Sequence, residues 1–154
     1  MEFPAPPGFP YDCYAATGRL RFSGLDFSKY EKAALKARYA FREALTRDIA
    51  ENLDSCTDEV RITQLSGPLF EVDFEVCSPS HSKATYEATG QVLAKRVHNG
   101  TFTTGHTRQS YQKELGGSTH HMCVDAAVLK LRSHHAPPPP PQDINSISEL
   151  RSIL

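Results

Sequence analysis

Apolar and polar residues alternate over some stretches of this chain and recur at three-to-four spacing over others. Leu20 and Phe22 alternate with Arg19 and Arg21, which predicts a half-buried strand over 16–22. Ala34, Ala37, Phe41, Leu45, Ile49 and Leu53 form one apolar stripe with no Gly or Pro between them. They predict a single helix over 29–53, with Ser28 as N-cap and Glu31 at capping-box spacing. Val60-Arg61-Ile62-Thr63 alternates up to Leu65, and Ser66-Gly67-Pro68 is turn chemistry. Phe70, Val72, Phe74 and Val76 then alternate with Glu71, Asp73 and Glu75, so the two runs predict a β-hairpin. A second helix is expected over about 80–98, turning Thr85, Ala88, Thr89, Val92, Leu93 and Val97 inward, with Asn99-Gly100 as its stop. Thr101–Thr104 and Thr107–Lys113 are the candidates for a last strand. The stretch 118–133 reads either as a helix through Met122, Val124, Val128 and Leu131 or as an extended tail.

The order strand, helix, strand, strand, helix, strand predicts an α+β fold of the ferredoxin-like, split βαβ (βαββαβ) kind. Its antiparallel sheet would carry two helices on one face, with the first strand beside the third. The same alternation sends Arg19, Arg21, Arg61, Glu71, Asp73 and Glu75 to the face away from the helices.

Length changes this picture little: 154 residues suit one domain. Proline placement sets its limits. Of the 11 prolines, Pro4, Pro6, Pro7 and Pro10 lie near the start, and Pro137 to Pro141 form one run. Proline fixes φ and removes a donor, so both ends favour extended chain. The expected division is a Pro-rich arm over 1–15, a domain over 16–136, and a polyproline spacer with a short segment over 137–154. The domain carries 16 of the 17 Lys and Arg and 14 of the 18 Asp and Glu, too even a balance to draw nucleic acid or anionic lipid. No run approaches the roughly 18 apolar residues of a membrane span. The start, MEFPAPPGFPYD, is unlike a secretory signal or transit peptide, so a soluble cytoplasmic protein is expected.

Candidate chemistry is sparse. Cys13, Cys56, Cys77 and Cys123 are far apart and form no CxxC pair, which fits a reducing compartment and free thiols. Cys123 with the His120-His121 doublet lacks the spacing of a closed zinc site, so no metal or other cofactor is expected. Glu71, Asp73 and Glu75 stand about 7 Å apart along one strand and do not converge by themselves. Cys77 with His81 is a lone pair across a loop, and no phosphate-binding or nucleophile motif occurs, so the chain is not expected to be an enzyme. An RNA-recognition sheet needs outward aromatics on its first and third strands. Here Phe22, Phe70 and Phe74 point inward, and outward carboxylates would repel phosphate.

With the order assembled, Leu20 to about Leu115 resembles a SEA-like ferredoxin-fold domain, of the kind found in protist cytoskeletal and flagellar proteins, including those of trypanosomatids. The residues that carry the resemblance are Phe41-Arg42-Glu43-Ala44-Leu45 through Asp48-Ile49-Ala50, Val60 to Gly67, and Val72-Asp73-Phe74-Glu75-Val76. Some SEA domains cleave themselves in the turn between the second and third strands. Pro68 stands here where the nucleophilic serine would be, so the resemblance implies no self-cleavage. It implies a non-catalytic structural subunit of a cytoskeletal or flagellar, axonemal microtubule-associated assembly, with tubulin or microtubule-associated proteins as partners. In the C-terminal segment Ile144, Ile147, Leu150, and Ile153 or Leu154 recur at three-to-four spacing. Such a short amphipathic stretch needs a groove to bury its apolar side, in its own domain or in a partner, and these residues are the expected protein-binding contacts. A subunit of a ribonucleoprotein touching RNA, and a small-ligand or enzymatic ferredoxin-type domain, are the alternatives.

Overall fold

The alternation around Leu20 and Phe22 marks the central strand of the protein. The computed structural model describes residues 9–79 and 82–134, and in it β1 spans Cys13–Ser23. It runs antiparallel to β3 (Phe70–Cys77) in the register Leu20↔Val72, with Phe22 opposite Phe70. On its other side β1 runs antiparallel to β4 (Cys123–His134), with a bulge at Arg21/Phe22. The hairpin forms as its pattern requires: β2 (Val60–Ser66) pairs antiparallel with β3, bulged between Ile62 and Gln64. The four-stranded sheet therefore has the order β2-β3-β1-β4, with the first strand beside the third. This α+β architecture is compatible with a ferredoxin-like arrangement.

Period-two alternation decides what the sheet buries. Ala16, Leu20, Phe22, Phe70, Val72, Phe74 and Val76 are buried in one core with side chains from the helices. Gly18 sits in the same row because the Phe74 ring occupies the space a Cβ there would need. Arg19, Arg21, Glu71, Asp73 and Glu75 are at least partly exposed on the opposite face.

The helical layer differs from expectation in three places. The single helix over 29–53 is two helices, α1 (Phe27–Lys32) and α2 (Leu35–Leu53), separated by extended backbone at Ala33 and Ala34. Asp26, rather than Ser28, is the first N-cap: its Oδ1 accepts from the Ser28 N–H at 2.9 Å. The Arg38 guanidinium reaches back across the break and donates to the carbonyls of Ala33 and Glu31. The break lets Tyr30 bury its ring 5.9 Å from Phe41 and 6.4 Å from Phe70. Two alanines with high helix propensity give way to that aromatic packing.

The second crossover holds two helices rather than one. In α3 (Lys83–Asn99) the N-cap is Ser82 and the stop is Gly100 in the left-handed region, as Asn99-Gly100 predicts. Its buried face is Tyr86 and Leu93, with Val97 partly buried, whereas Thr85, Ala88 and Val92 are exposed. Residues 101–104 are loop, and the expected last strand over 107–113 is instead α4 (Gly105–Glu114). Thr107, Tyr111 and Leu115 are buried at spacings of four, a helical period. The last strand is β4, within the stretch that also read as a helix or an extended tail. The four helices replace the expected two.

No helix among the described residues is long and apolar enough to cross a membrane. The expected spacer and tail, 137–154, lie outside the described residues, as do residues 1–8 of the arm.

Phe41 is fully buried, with its ring 5.6 Å from Phe70 and 6.2 Å from Tyr111. Phe41→Ala is expected to cost about 3–5 kcal/mol. Chemical denaturation followed by far-UV circular dichroism measures the loss, and an unchanged midpoint would contradict this packing.

Candidate functional site

Three polar arrangements stand out from this frame: a buried node between α2 and α4, the open face of the sheet, and the segment that folds over one end of that face. The node begins with Asp48, buried on α2. Its Oδ1 accepts from the His106 N–H at 3.2 Å and its Oδ2 from the Thr107 N–H at 2.7 Å. These are first-turn amides of α4, whose own N-cap, Thr104, makes no side-chain cap bond. Asp48 therefore caps a helix distant in sequence, and its charge meets the positive end of that helix. One turn on, Asn52 clamps the preceding loop: Nδ2 donates to the Thr103 carbonyl at 2.9 Å, and Oδ1 accepts from the Thr103 N–H at 3.0 Å. Arg96 of α3 donates to the same Oδ1 at 3.3 Å. His106 Nε2 lies 2.9 Å from Glu51 Oε1.

Asp48, Glu51 and His106 bring one potential ligand atom each within 4.8 Å of one another, a donor set able to hold a divalent cation. Both Asp48 oxygens already accept from backbone amides, and His106 already faces Glu51. The chemistry of this set is that of a structural clamp. The histidine and cysteine group considered from the sequence is arranged otherwise: His120 and His121 stack edge-on at 4.9 Å, and Cys123 Sγ lies 2.7 Å from Ser23 Oγ.

The outer face of the sheet is organised in rows. Thr17 stands between Lys130 and Glu75, and Arg61 continues the row. In the next row Arg19 stands between Val128 and Asp73. Arg19 holds Asp73 through two bonds, of 2.6 and 3.2 Å, and approaches Glu71 at 3.6 Å; Arg21 pairs with Asp125 at 2.9 Å. Two carboxylates of the acidic stripe seen in the sequence, Glu71 and Asp73, are thus held by one arginine of the neighbouring strand. Exposed pairs of this kind are screened by solvent and add little to stability. A shallow depression of about 420 Å³ lies over Thr17, Thr63, Asp73 and Glu75, rimmed by Val128, which is 51% exposed, and Lys130.

One end of this face is covered. Phe9 is fully buried, with the Arg61 guanidinium 4.5 Å from its ring centroid, and it forms a small second core with Ala15 and Cys77. Tyr11 Oη donates to the Cys77 carbonyl at 2.6 Å. Cys13 and Cys77 are joined by a disulfide, with Cα atoms 5.9 Å apart. This corrects the expectation of four free thiols: only Cys56 and Cys123 are free, and both are exposed. It also removes Cys77 as a partner for His81, which lies outside the described residues. The signal was present in the strand register. Leu20 opposite Val72 places Ala15 opposite Cys77, so Cys13 is the diagonal neighbour of Cys77 on the same face. The Cys56 thiol is pushed up by neighbouring Glu59, by burial and by Asp58, which lowers its nucleophilicity.

From the other face Tyr86 grips the same strand end, accepting from the Ser78 N–H at 2.8 Å. The expected protein-binding residues Ile144, Ile147, Leu150, Ile153 and Leu154 all lie outside the described residues, so none of them is placed in these arrangements.

Two predictions follow from the buried polar groups. Asp48→Ala leaves two buried amides without an acceptor and is expected to cost about 2–4 kcal/mol, whereas Glu51→Ala stays within about 0.5 kcal/mol. Equal effects in urea unfolding would show that Asp48 is not the cap. Tyr86 is raised from 10.0 to about 12, chiefly by burial, with the Ser78 amide opposing and Glu59 adding. A pKa that is higher in the folded state means that the Tyr86 contribution is complete below pH 10 and is lost as pH rises towards 12. Phenolate absorbance is expected to show a titration near 12 that is absent from Tyr86→Phe, with unfolding midpoints falling over the same interval; a late titration that survives Tyr86→Phe unchanged would refute the assignment.

No protein-family model matches this chain, and no curated protein matches it in sequence.

Proposed function

We propose that this protein is a non-catalytic protein–protein interaction module, a structural subunit that joins a larger assembly through its open sheet and its C-terminal segment. The observation that supports this reading is the longer of the two edge strands of the sheet among the described residues. Among the described residues, β4 is a 12-residue strand paired with β1 alone, at the end of the order β2-β3-β1-β4. A long edge strand offers a row of backbone donors and acceptors to an incoming strand. The exposed Val128 lies on this strand, and the chain continues from its end towards Ile144, Ile147, Leu150, Ile153 and Leu154. The polar groups described above favour scaffolding over chemistry, because Asp48 and Asn52 are occupied in fixing α4 and its approach loop.

The SEA-like identity of the domain and its cytoskeletal or flagellar setting, with tubulin or microtubule-associated proteins as partners, rest on the sequence resemblance alone. The outer face argues against RNA as the partner. Its carboxylates are paired with the arginines that would otherwise meet phosphate, and the third-strand aromatics Phe70 and Phe74 are buried in the core.

Deleting Gln142–Leu154 from the full chain is expected to leave the melting temperature within about 2 °C, because the sequence predicts that the five prolines Pro137 to Pro141 form a stiff spacer reaching about 15 Å from the domain. The same deletion is expected to abolish co-purification of the tagged protein with the detergent-extracted cytoskeleton. A large fall in melting temperature would mean that the segment packs on its own domain. Unchanged co-purification would place the binding surface on the sheet or the N-terminal segment.

A further inference from the structure

The N-terminal end of β1 is attached to the fold differently from everything else in the molecule. The main core and the β1–β3 ladder, from Ala15↔Cys77 to Phe22↔Phe70, do not depend on Cys13 or on the residues before it. Among the contacts that hold Phe9 and Tyr11 on the outer face are the stack on Arg61, the packing of Phe9 on Ala15 and Cys77, the Tyr11–Cys77 hydrogen bond, and the Cys13–Cys77 disulfide two residues further on. Only the last is covalent. Cys77 is fully buried and Cys13 half-buried, so the bond is approachable from one side. We propose that Cys13–Cys77 is a redox latch: oxidised, it holds Phe9–Asp12 over the Arg61 end of the sheet face; reduced, it releases that segment and uncovers the face while the domain stays folded.

The chemistry balances with a dithiol reductant. One thiolate of the reductant attacks the Cys13 sulfur, forms a mixed disulfide there and expels the Cys77 thiolate, which takes a proton from solvent. The second thiol of the reductant then attacks its own sulfur in the mixed disulfide. Cys13 leaves as a thiolate, is protonated, and the reductant departs as a disulfide. The protein gains two electrons and two protons. What is uncovered is the patch of Arg61, Ala15 and Cys77 on which Phe9 packs, next to the depression over Thr17 and Glu75. The latch would therefore open that end of the face without breaking the β1–β3 ladder.

The test uses the full chain after air oxidation, with hydrogen exchange read by mass spectrometry. Alkylation of the unfolded, unreduced protein is expected to mark Cys56 and Cys123 only. After dithiothreitol, peptides covering 9–14 are expected to exchange about tenfold faster or more, as for local opening, while peptides covering 41–53 and 70–76 keep their protection. Reoxidation is expected to restore the first rate. Cys13→Ser, and independently Cys77→Ser, should behave as the reduced protein with or without reductant. Four alkylated cysteines in the oxidised chain would overturn the proposal. So would a segment equally protected in both redox states. Loss of protection in 41–53 and 70–76 on reduction would make the bond a staple of the whole fold, and the latch would be wrong.

Discussion

The antiparallel ladder between β1 and β3 is the constraint on which the rest of the structure depends. Successive side chains of a strand point to opposite faces, so fixing Leu20 opposite Val72 assigns every neighbour at once. Leu20 and Phe22 go with Phe70, Val72, Phe74 and Val76 into the core under the helices. Arg19 and Arg21 go with Glu71 and Asp73 to the outer face, where opposite charges meet. A slip of β1 by one residue would turn Arg19 and Arg21 towards the core and expose Leu20 and Phe22. The same register brings Cys13 diagonal to Cys77, so the disulfide is a consequence of the ladder and not an independent feature.

This is also why the first half of the chain was legible in its sequence. Where a pattern has a strict period and is anchored by large side chains, local and tertiary preferences agree: the β2–β3 hairpin and the Phe41, Leu45, Ile49, Leu53 stripe formed as read. The break between α1 and α2 was not legible, because neither Ala33 nor Ala34 opposes a helix. It comes from burying Tyr30 between Phe41 and Phe70, a contact between three separate elements. The strand expected over 101–113 fails for a related reason. The threonines and tyrosine of this stretch favour a strand at 107–113, but a helix starts there because Asp48, more than fifty residues earlier, supplies the cap. In β4, partnership with β1 overrides a weak helical spacing of Met122, Val124, Val128 and Leu131.

The candidate surfaces were only half legible, and the reason is physical. The charged composition of the outer face follows from alternation, whereas its neutral, paired state depends on which strands are adjacent. Glu71, Asp73 and Glu75 read alone suggest an acidic cluster; beside β1, two of them face one arginine. Likewise the proline-rich start reads as an arm, yet Phe9 is fully buried against Ala15, Cys77 and Arg61. A single aromatic ring finding an apolar patch on the wrong side of a sheet leaves no periodic trace in the sequence.

These two corrections bear on function together. A face whose charges were unpaired would select partners by long-range attraction, and its binding would weaken steeply with salt. A face whose charges are internally paired offers little field and must work through shape, backbone groups and modest apolar contacts such as Val128. Interfaces of that kind are sensitive to what already covers them, because each buried contact adds only a small increment and a competing intramolecular segment has the advantage of tethering. In the proposed latch the Phe9–Asp12 segment takes the place of such a competitor, and it is tethered twice, through the start of β1 and through Cys77. If the proposed latch holds, the covalent state of that tether therefore governs how much of this weakly charged face is open to a partner.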